Sequence, residues 1–294
     1  MSEAVILDGK AIAANLRNCL KHKVAKLIED TGKAPSLAVI LVGDHPPSQV
    51  YVNNKQKAAH EVGLKATLHH LPSSTSQNEL EHTLKKLNED PAVNAILLQL
   101  PLPKGLMADP LLLTINPLKD ADGLHPFNLG LIMAGAPNLI PCTPYGIMQI
   151  LKAYNLDPKG KRALVIGRSR LVGRPITELL LNAHATVAVA HSHTSEEDLR
   201  SLLIESDLVI GAVGKPGFIR GDWLKQGCVA IDVGINRLPD GKLVGDFAYE
   251  ECLPKVAAIT PVPGGVGPLT VAHLLLNTVK AFEIQCFGHT HIEL

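Results

Sequence analysis

The stretch Ala163-Leu-Val-Ile-Gly-Arg-Ser-Arg-Leu-Val-Gly-Arg-Pro175 decides the fold of the second half of this chain. Its apolar start leads into Gly167, as expected for a buried parallel strand that ends in a tight turn. A helix is predicted from about Val172, where Gly173 lets the backbone approach a ligand and Pro175 suits an early helical position. The free N–H groups of such a helix start attract an anion, so the pattern predicts a turn that binds the phosphates of a dinucleotide.

The glycine spacing of this turn departs from the usual dinucleotide-binding pattern. That pattern is Gly-x-Gly-x-x-Gly, and Ser169 stands at the position of its second glycine. An ordinary strand-to-helix turn is therefore an alternative. Further apolar strands are predicted at 186–190, 207–213 and 229–233, and together they indicate a Rossmann-like domain.

The residues after the second strand of this domain indicate which dinucleotide binds. NAD sites usually place Asp or Glu there, to accept a hydrogen bond from the ribose 2′-hydroxyl. Here the strand runs into His191-Ser-His-Thr194, and the first acid is Glu196. Arg168 and Arg170 lie in the phosphate turn, so cations and hydroxyl groups would surround a 2′-phosphate. We therefore expect NADP as the cofactor in preference to NAD.

The first half of the chain alternates strands and helices. Apolar runs predict strands at 36–43, 65–71 and 95–100, which are separated by helices at 51–62 and 77–87. This β-α-β-α-β order predicts an α/β domain with right-handed crossovers.

Prolines and glycines crowd residues 114–144, where the alternation pauses and a junction between domains is expected. We expect a catalytic domain over residues 1–140, completed by a C-terminal helix at 270–294, and a Rossmann-like nucleotide-binding domain over 141–269. The predicted fold class is two α/β domains with a cleft between them. Such clefts often hold binding sites.

Tyr51 and Lys55 are the first candidates for chemistry outside the nucleotide turn. They lie at positions i and i+4 of a predicted helix, which places the phenol and the amine on one face. A half-buried tyrosine beside a surface lysine is an alternative explanation. Gln99 ends a buried strand and Asp122 lies in a polar loop. Both favour a site, because ligands of open α/β sheets bind at the carboxyl ends of strands.

Composition disfavours several classes of protein. The 294 residues include 28 Lys and Arg and 28 Asp and Glu, and a net charge of zero disfavours a nucleic-acid-binding protein. No apolar run approaches the roughly 20 residues of a membrane helix, and the N-terminus lacks the features of a signal peptide. The five cysteines are scattered, which indicates reduced thiols in a cytoplasmic protein.

The 13 histidines raise the question of a metal. The close sets are His69-His70, His191-x-His193 and His289-x-His291, and each lacks a third ligand nearby in the sequence. A His-x-His pair at a strand end or chain terminus is usually only exposed, so we expect no metal site.

Five motifs occur together in this chain. They are Tyr51-x-x-x-Lys55, Gln99-Leu-Pro-Leu-Pro103, Lys119-Asp-x-Asp-Gly123, Gly167-Arg-Ser-x-x-Val-Gly-Arg-Pro175 and Pro263-Gly-Gly-Val-Gly-Pro-x-Thr270. In this order they resemble the bifunctional methylenetetrahydrofolate dehydrogenase/methenyltetrahydrofolate cyclohydrolase family. The match runs from about Leu7 to the final helix. Leu269 stands where Met is common and Ala121 where Val is common, and both are changes between apolar packing residues.

The resemblance implies two successive reactions on one folate carbon. An NADP-dependent oxidation would convert 5,10-methylenetetrahydrofolate to 5,10-methenyltetrahydrofolate, and hydrolysis would then give 10-formyltetrahydrofolate. The resemblance also implies a homodimer that forms through the Rossmann domain.

The resemblance further implies a role for residues of both domains. Lys55 would activate water and transfer protons in the hydrolysis, and Gln99 would hydrogen-bond near it. Tyr51 would stack on the folate rings, and Asp122 would bind the pterin amino group and ring nitrogen. The other folate contacts would come from Ser48, Pro263, Gly264 and Gly265. The NADP contacts would come from Gly167, Arg168, Ser169, Val172, Gly173, Ser192 and Ile235, and His193 lies near the 2′-phosphate without an assigned part.

Three other functions fit these residues less well. A dehydrogenase without cyclohydrolase activity is disfavoured because Lys55, Gln99 and Asp122 occur together. A non-catalytic NADP-binding protein would not need that group of polar residues. A Schiff-base enzyme that uses Lys55 would leave the nucleotide turn unexplained.

Overall fold

The computed structural model describes residues 3–288 of the chain. They form two compact units, each built around one parallel sheet. The six-stranded unit contains the described residues up to Ala14 together with Thr143–Thr270, and the three-stranded unit contains Asn15–Cys142 together with the described residues from Val271 onward.

The helices and strands alternate along most of the described chain. The strands are β1 (Val5–Ile6), β2 (Ser36–Val42), β3 (Lys65–Leu71), β4 (Ala95–Leu98), β5 (Arg162–Ile166), β6 (Thr186–Ala190), β7 (Leu208–Gly211), β8 (Val229–Asp232), β9 (Asn236–Arg237), β10 (Leu243–Val244) and β11 (Ala258–Ile259). The α-helices are α1 (Gly9–Thr31), α2 (Pro46–Glu61), α3 (Gln77–Glu89), α4 (Ala108–Thr114), α5 (Pro126–Met133), α6 (Cys142–Ala153), α7 (Gly173–Asn182), α8 (Glu196–Glu205), α9 (Tyr249–Cys252) and α10 (Val266–Phe287). Short 3-10 helices occur at Pro117–Lys119 and Gly221–Trp223.

The three-stranded unit has the strand order β3-β2-β4, and both pairings are parallel. Every residue of β2 is buried, because alternate side chains enter two different hydrophobic clusters. Ala38, Ile40 and Val42 pack with α3, and Leu37, Val39 and Leu41 pack in the cluster that contains Leu274 of α10. A parallel strand covered on both faces has this continuous apolar sequence.

The six-stranded unit has the strand order β1-β11-β8-β7-β5-β6, and all of its pairings are parallel. The carboxyl ends of β5, β6, β7 and β8 therefore meet at one edge of the sheet. The sequence did not predict β1 or β11, which pair at Val5 with Ala258 and at Ile6 with Ile259. Both strands have two residues and lie in apolar runs of only four, at 4–7 and 256–259, which is the lower limit of length for a predicted strand.

The predicted fold class of two α/β domains is confirmed, and its predicted elements recur with small shifts. Gly63 closes α2 as predicted, with φ of +87° and its N–H donating to the carbonyl of His60. The Pro- and Gly-rich segment 114–144 is less irregular than expected, because α5 forms within it. Pro126 occupies the first turn of α5, where a missing N–H costs nothing, and the side chain of His125 accepts from Phe127 N–H.

Three sequence-based expectations concern the C-terminal residues, metal ligands and membrane-spanning helices. His289, His291 and the last residues of the predicted C-terminal helix lie outside the described residues. Within residues 3–288, His, Cys, Asp and Glu side chains form no group of three that could hold a metal ion. None of the helices described is both long enough and apolar enough to cross a membrane.

Candidate active site

The side chains of Lys55 and Gln99 meet in the three-stranded unit. Lys55 Nζ lies 3.0 Å from Gln99 Oε1 and donates a hydrogen bond to it. Gln99 directly follows β4 and is 9% exposed, and its Nε2 donates to the carbonyl of Leu100 at 2.6 Å. The second hydrogen bond fixes the amide so that its oxygen faces the amine. Lys55 is therefore held by the fold, which disfavours the alternative of a surface lysine.

Helix α2 presents Ser48, Tyr51 and Lys55 at spacings of three and four residues, so they share one face. Ser48 is buried, and its Oγ lies 2.9 Å from Nδ1 of His45. The Tyr51 side chain is 47% exposed, which leaves its ring available for stacking. The structure thus brings three of the predicted residues to one helix face.

The loop that carries Asp122 is fixed by hydrogen bonds at several points. The N–H of Ala121 donates to the carbonyl of Ile96 in β4, and Asn277 Nδ2 donates to the carbonyl of Ala121 at 2.9 Å. Gly123 has φ of +70°, and a Cβ there would lie 2.5 Å from the carbonyl carbon of Ile140. Glycine is therefore required beside Asp122, and the backbone that carries this residue has a fixed path.

Asp120 and Asp122 have different neighbours. Asp120 is buried, and its Oδ2 accepts from the N–H of His125 at 2.7 Å and from Asn128 Nδ2 at 2.9 Å. Burial raises the pKa of Asp122, the ammonium of Lys55 lowers it, and the negative charge of Asp120 raises it. Asp122 therefore lies within the field of the Lys55 amine.

Cys142 is a neighbour of Asp122 that the sequence analysis missed. Burial, and then the charge of Asp122, raise the pKa of its thiol well above the ordinary value. The thiol therefore stays protonated and donates to the carbonyl of Ala121 at 3.5 Å, and its closeness to the Asp122 carboxylate lowers the pKa of Asp122. A lone cysteine between prolines gives no signal in the sequence for such a contact.

Lys119 belongs to the same motif as Asp122, but its role is structural. Its Nζ donates to the carbonyls of Leu87 and Asp90 at 3.2 Å and 2.8 Å, at the end of α3. Burial lowers the pKa of this lysine, and the charge of Asp90 raises it. Lys119 thus satisfies carbonyl groups that the helix leaves unpaired.

The nucleotide turn in the six-stranded unit requires both of its glycines. Gly167 follows β5 with φ of +127°, and a Cβ there would lie 2.3 Å from the carbonyl oxygen of Ala212. A Cβ on Gly173 would lie 2.2 Å from the carbonyl oxygen of Gly167. Ser169 Oγ accepts from the N–H groups of Val172 and Gly173 at 3.2 Å and 3.4 Å, so the serine supports the start of α7.

The residues around this turn fit a dinucleotide with a 2′-phosphate. Arg168 and Ser192 are exposed and follow β5 and β6, whose carboxyl ends lie side by side. The side chain of Ile235, which follows β8, is 51% exposed. His193 is also exposed, and its N–H donates to Nδ1 of His191 at 3.2 Å. A guanidinium and a hydroxyl group can both donate to a phosphate.

The loop of Pro263, Gly264 and Gly265 belongs to the six-stranded unit. Gly264 has φ of +115°, and its carbonyl accepts from the N–H of Lys10 at 3.1 Å. A Cβ on Gly265 would lie 2.7 Å from the carbonyl oxygen of Pro261. The predicted site residues thus form two groups. One group holds the polar residues of the three-stranded unit, and the other holds this loop and the nucleotide turn.

These features define an α/β enzyme class with a dinucleotide-binding sheet in one unit and an amine–carboxylate site in the other. Residues 7–122 match the catalytic domain of the tetrahydrofolate dehydrogenase/cyclohydrolase family, and residues 141–286 match its NAD(P)-binding domain. The chain belongs to this family. The resemblance inferred from the five motifs is confirmed.

Relatives similar to this chain cover nearly its whole length. A protein of Dichelobacter nodosus named "Bifunctional protein FolD" is 51% identical over 290 residues, which are 97% of this chain and 99% of the relative. A protein of the same name from Magnetococcus marinus is 50% identical over 277 residues, which are 94% of this chain and 96% of the relative.

Two solved structures are also similar. The bifunctional methylenetetrahydrofolate dehydrogenase/cyclohydrolase of Campylobacter jejuni has a TM-score of 0.92 and 48% identity, and the match covers 95% of this chain and 98% of that one. The Trypanosoma brucei enzyme, solved with NADP cofactor and an inhibitor, has a TM-score of 0.93 and 39% identity, with 98% of this chain and 100% of that one covered.

Proposed function

We propose how the residues of this chain divide two reactions between them. The chain is a bifunctional enzyme that oxidises 5,10-methylenetetrahydrofolate with NADP and hydrolyses the resulting 5,10-methenyltetrahydrofolate to 10-formyltetrahydrofolate. The observation that carries the division of labour is the contact of Lys55 with Gln99, close to the charge of Asp122. An amine, an amide oxygen and a carboxylate in one place can serve proton transfer.

Lys55 is proposed as the proton-transfer group of the hydrolysis. Water adds to the cationic methenyl carbon and loses one proton, and the amine accepts that proton. The bond between this carbon and N5 of the folate then breaks, the hydroxyl group of the adduct loses its proton to become the formyl oxygen, and N5 takes up a proton to give the 10-formyl product. Gln99 accepts an N–H of Lys55, which orients the amine so that its lone pair is free when it is neutral. Tyr51 stacks on the folate rings and helps to position Lys55.

Asp122 is proposed to bind the pterin ring. Its carboxylate accepts from the pterin amino group and a ring N–H, and charge-assisted hydrogen bonds of this kind are strong. Further folate contacts are proposed for Ser48, Pro263, Gly264 and Gly265. Gly264 and Gly265 carry no side chain, so their backbone allows a close approach.

The oxidation is proposed to depend on positioning. Hydride transfer requires the folate carbon and the nicotinamide, when bound, to be in contact and correctly oriented. The phosphates of NADP are proposed to lie at Gly167, Ser169, Val172 and Gly173, with Arg168 and Ser192 on the 2′-phosphate and Ile235 against a ring. The exposed guanidinium and hydroxyl beside adjacent strand ends support this assignment.

We also propose the domain functions, the oligomer and the compartment. The folate-binding domain is proposed for residues 1–140 with 270–294, and the NADP-binding domain for 141–269, although β1 pairs with β11 in the six-stranded unit. A homodimer through the Rossmann domain is supported by β6, a strand at the edge of its sheet. A cytoplasmic location is supported by five free cysteines.

One assay tests the proposed function against its alternatives. Tetrahydrofolate and formaldehyde supply the methylene substrate, and NADPH formation is followed by its absorbance. Hydrolysis is then measured separately from the disappearance of added methenyltetrahydrofolate. Both activities are expected. Oxidation without hydrolysis would indicate a monofunctional dehydrogenase, and NADP binding without either activity would indicate a non-catalytic binding protein. Light scattering of the purified chain tests the homodimer, and a monomeric mass would contradict it.

A further inference from the structure

Two buried carboxylates lie beneath the loops that follow β7 and β8. Neither has a role in the oxidation or in the hydrolysis. Asp232 is 3% exposed and Asp246 is 0% exposed. Both are in the six-stranded unit, whose strand ends carry the nucleotide turn. A buried carboxylate is costly unless hydrogen bonds satisfy it, so each of these groups must have a fixed set of donors.

Asp246 accepts hydrogen bonds from the loop after β7. Its Oδ2 accepts from the N–H of Val213 at 2.6 Å and of Gly214 at 3.0 Å. Its Oδ1 accepts from the N–H of Lys215 at 2.9 Å. Three consecutive backbone N–H groups therefore converge on one carboxylate and fix the path of this loop.

The same carboxylate also holds the loop after β8. Asn236 Nδ2 donates to Asp246 Oδ1 at 3.0 Å. Gly234 packs so closely on Asp246 that an added Cβ would lie 2.3 Å from Oδ1. Gly234 and Asn236 are the residues on either side of Ile235. Asp246 thus contacts the residues on both sides of Ile235, which is proposed to contact NADP, through the side chain of Asn236 and by packing against Gly234.

Asp232 in turn fixes the position of Asp246. Its Oδ1 accepts from the N–H of Gly234 at 2.9 Å and from the N–H of Asp246 at 2.8 Å. Its Oδ2 accepts from the N–H of Phe247 at 3.0 Å. A Cβ on Gly245 would lie 1.8 Å from Asp232 Oδ2, so only glycine allows this approach. The two carboxylates form one continuous support beneath both loops.

We propose that Asp246, supported by Asp232, is a positioning residue for NADP that holds the loops after β7 and β8 in their cofactor-binding conformation. The proposal rests on the NADP site proposed above and deepens it. Four donors converge on Asp246, whereas an asparagine offers a single acceptor oxygen and places an NH2 group against other N–H groups. Replacing the carboxylate should therefore release the loops even though the side chain keeps its size.

The test uses the full chain and the substitutions Asp246→Asn and Asn236→Ala, with Asp240→Asn as the matched control. Asp240 is exposed between β9 and β10 and accepts from the N–H of Lys242. Titration calorimetry gives the NADP affinity, and hydrolysis of methenyltetrahydrofolate at saturating substrate reports on the proton-transfer site at Lys55, because that reaction uses no NADP. Asp246→Asn should weaken NADP binding at least about tenfold, because hydrogen bonds to a charged group are lost.

The other measurements separate positioning from a general loss of structure. Asn236→Ala should weaken NADP binding about fivefold, because it removes one of the four hydrogen-bond donors to Asp246. Asp240→Asn should change neither the NADP affinity nor the rate of hydrolysis. The rate of hydrolysis at saturating substrate should stay close to that of the parent chain in every variant. The relative affinity for NADP and NAD should stay constant in Asp246→Asn, because the 2′-phosphate contacts are proposed at Arg168 and Ser192.

Two results would overturn the proposal. One is an NADP affinity in both Asp246→Asn and Asn236→Ala that equals that of the parent chain. The other is a parallel loss of NADP binding and hydrolysis in Asn236→Ala, which would show only a structural role. If Asp246→Asn fails to fold, Asn236→Ala decides. Failure of the parent chain itself to bind NADP would instead refute the proposed cofactor site.

Discussion

Asp232 and Asp246 of the six-stranded unit and Asp120 of the Lys119–Gly123 loop are buried, whereas Asp122 of the same loop is half-buried and has different neighbours. Asp232 and Asp246 accept from backbone and amide N–H groups, and Asp120 does the same in the loop. Asp122, two residues further on, has an ammonium and a thiol as neighbours. Carboxylates satisfied by N–H groups hold the backbone in place. A carboxylate beside a cation can still accept hydrogen bonds from a ligand.

The largest expected effect tests the cation on the reactive side of this comparison. Lys55→Gln should lower hydrolysis of methenyltetrahydrofolate by roughly 100- to 10,000-fold, the usual contribution of a proton-transfer group. NADP-dependent oxidation should stay measurable, because it depends on positioning. The two rates are measured separately on the purified variant. Lys57→Gln is the control, because Lys57 is exposed on the same helix. Equal retention of both activities in Lys55→Gln would contradict the assignment.

The next effect concerns the carboxylate itself. Asp122→Ala should weaken folate binding by about 2–4 kcal/mol, because charge-assisted hydrogen bonds to the pterin ring are lost. Both activities should fall together at low folate concentration, and NADP affinity should stay near that of the parent chain. Equilibrium titration with folate and with NADP separates the two sites. Unchanged folate affinity would make Asp122 a residue that only stabilises its loop.

Arg168→Ala addresses the proposed 2′-phosphate site of the six-stranded unit, where the negative charge comes from the ligand. The variant should lose most of the preference for NADP over NAD, an effect of about 1.5–3 kcal/mol for a charged hydrogen bond. Steady-state kinetics with both cofactors measures the ratio of efficiencies. Arg162→Ala is the control. Arg162 is the first residue of β5, at the end of the strand opposite to Arg168, and it pairs with Glu205. An unchanged ratio would place the 2′-phosphate elsewhere.

The sequence predicted the sheet cores and the nucleotide turn well, because those features produce local patterns. A run such as 36–43 must be apolar when both faces of its strand are covered, and Gly167 must allow an unusual φ. The contact of Gln99 with Lys55 was expected only through the family resemblance. The sequence did not predict the roles of Cys142 and Asp246, because these roles depend on contacts between residues far apart in the chain. Such contacts leave no periodicity in the sequence.

The structural side of the comparison is tested by Asp120→Asn. An asparagine keeps one acceptor oxygen but sets its NH2 group against donors, so the variant should unfold more easily by about 1–2 kcal/mol. Urea denaturation measures the free energy of unfolding. The matched variant Asp122→Asn should change this free energy by less than about 0.5 kcal/mol, because its carboxylate does not have the same set of backbone donors. Equal destabilisation by the two substitutions would remove the distinction between them.

The smallest expected effect is a pH dependence that arises from Asp232. Burial raises the pKa of this carboxyl group to about 6, and the charge of Asp246 acts in the same direction, while backbone N–H groups oppose both. In the unfolded chain the pKa returns to about 3.9. Between these values the folded state binds a proton that the unfolded state lacks, so this group contributes more stability as the pH falls through about 6.

This contribution is isolated by comparing the parent chain with Asp232→Asn. The free energy of unfolding of the parent chain, minus that of the variant, should rise by about 1 kcal/mol between about pH 7 and about pH 5.5. Histidines also titrate in this range, but they are common to both chains and their effect cancels in the difference. The absolute stability of the variant is lower at both pH values because acceptors are lost, so the change in the difference carries the result. A difference that stays constant with pH would show that Asp232 remains ionised throughout. Its carboxylate would then be satisfied by its N–H donors to the same degree as one in water, despite its burial.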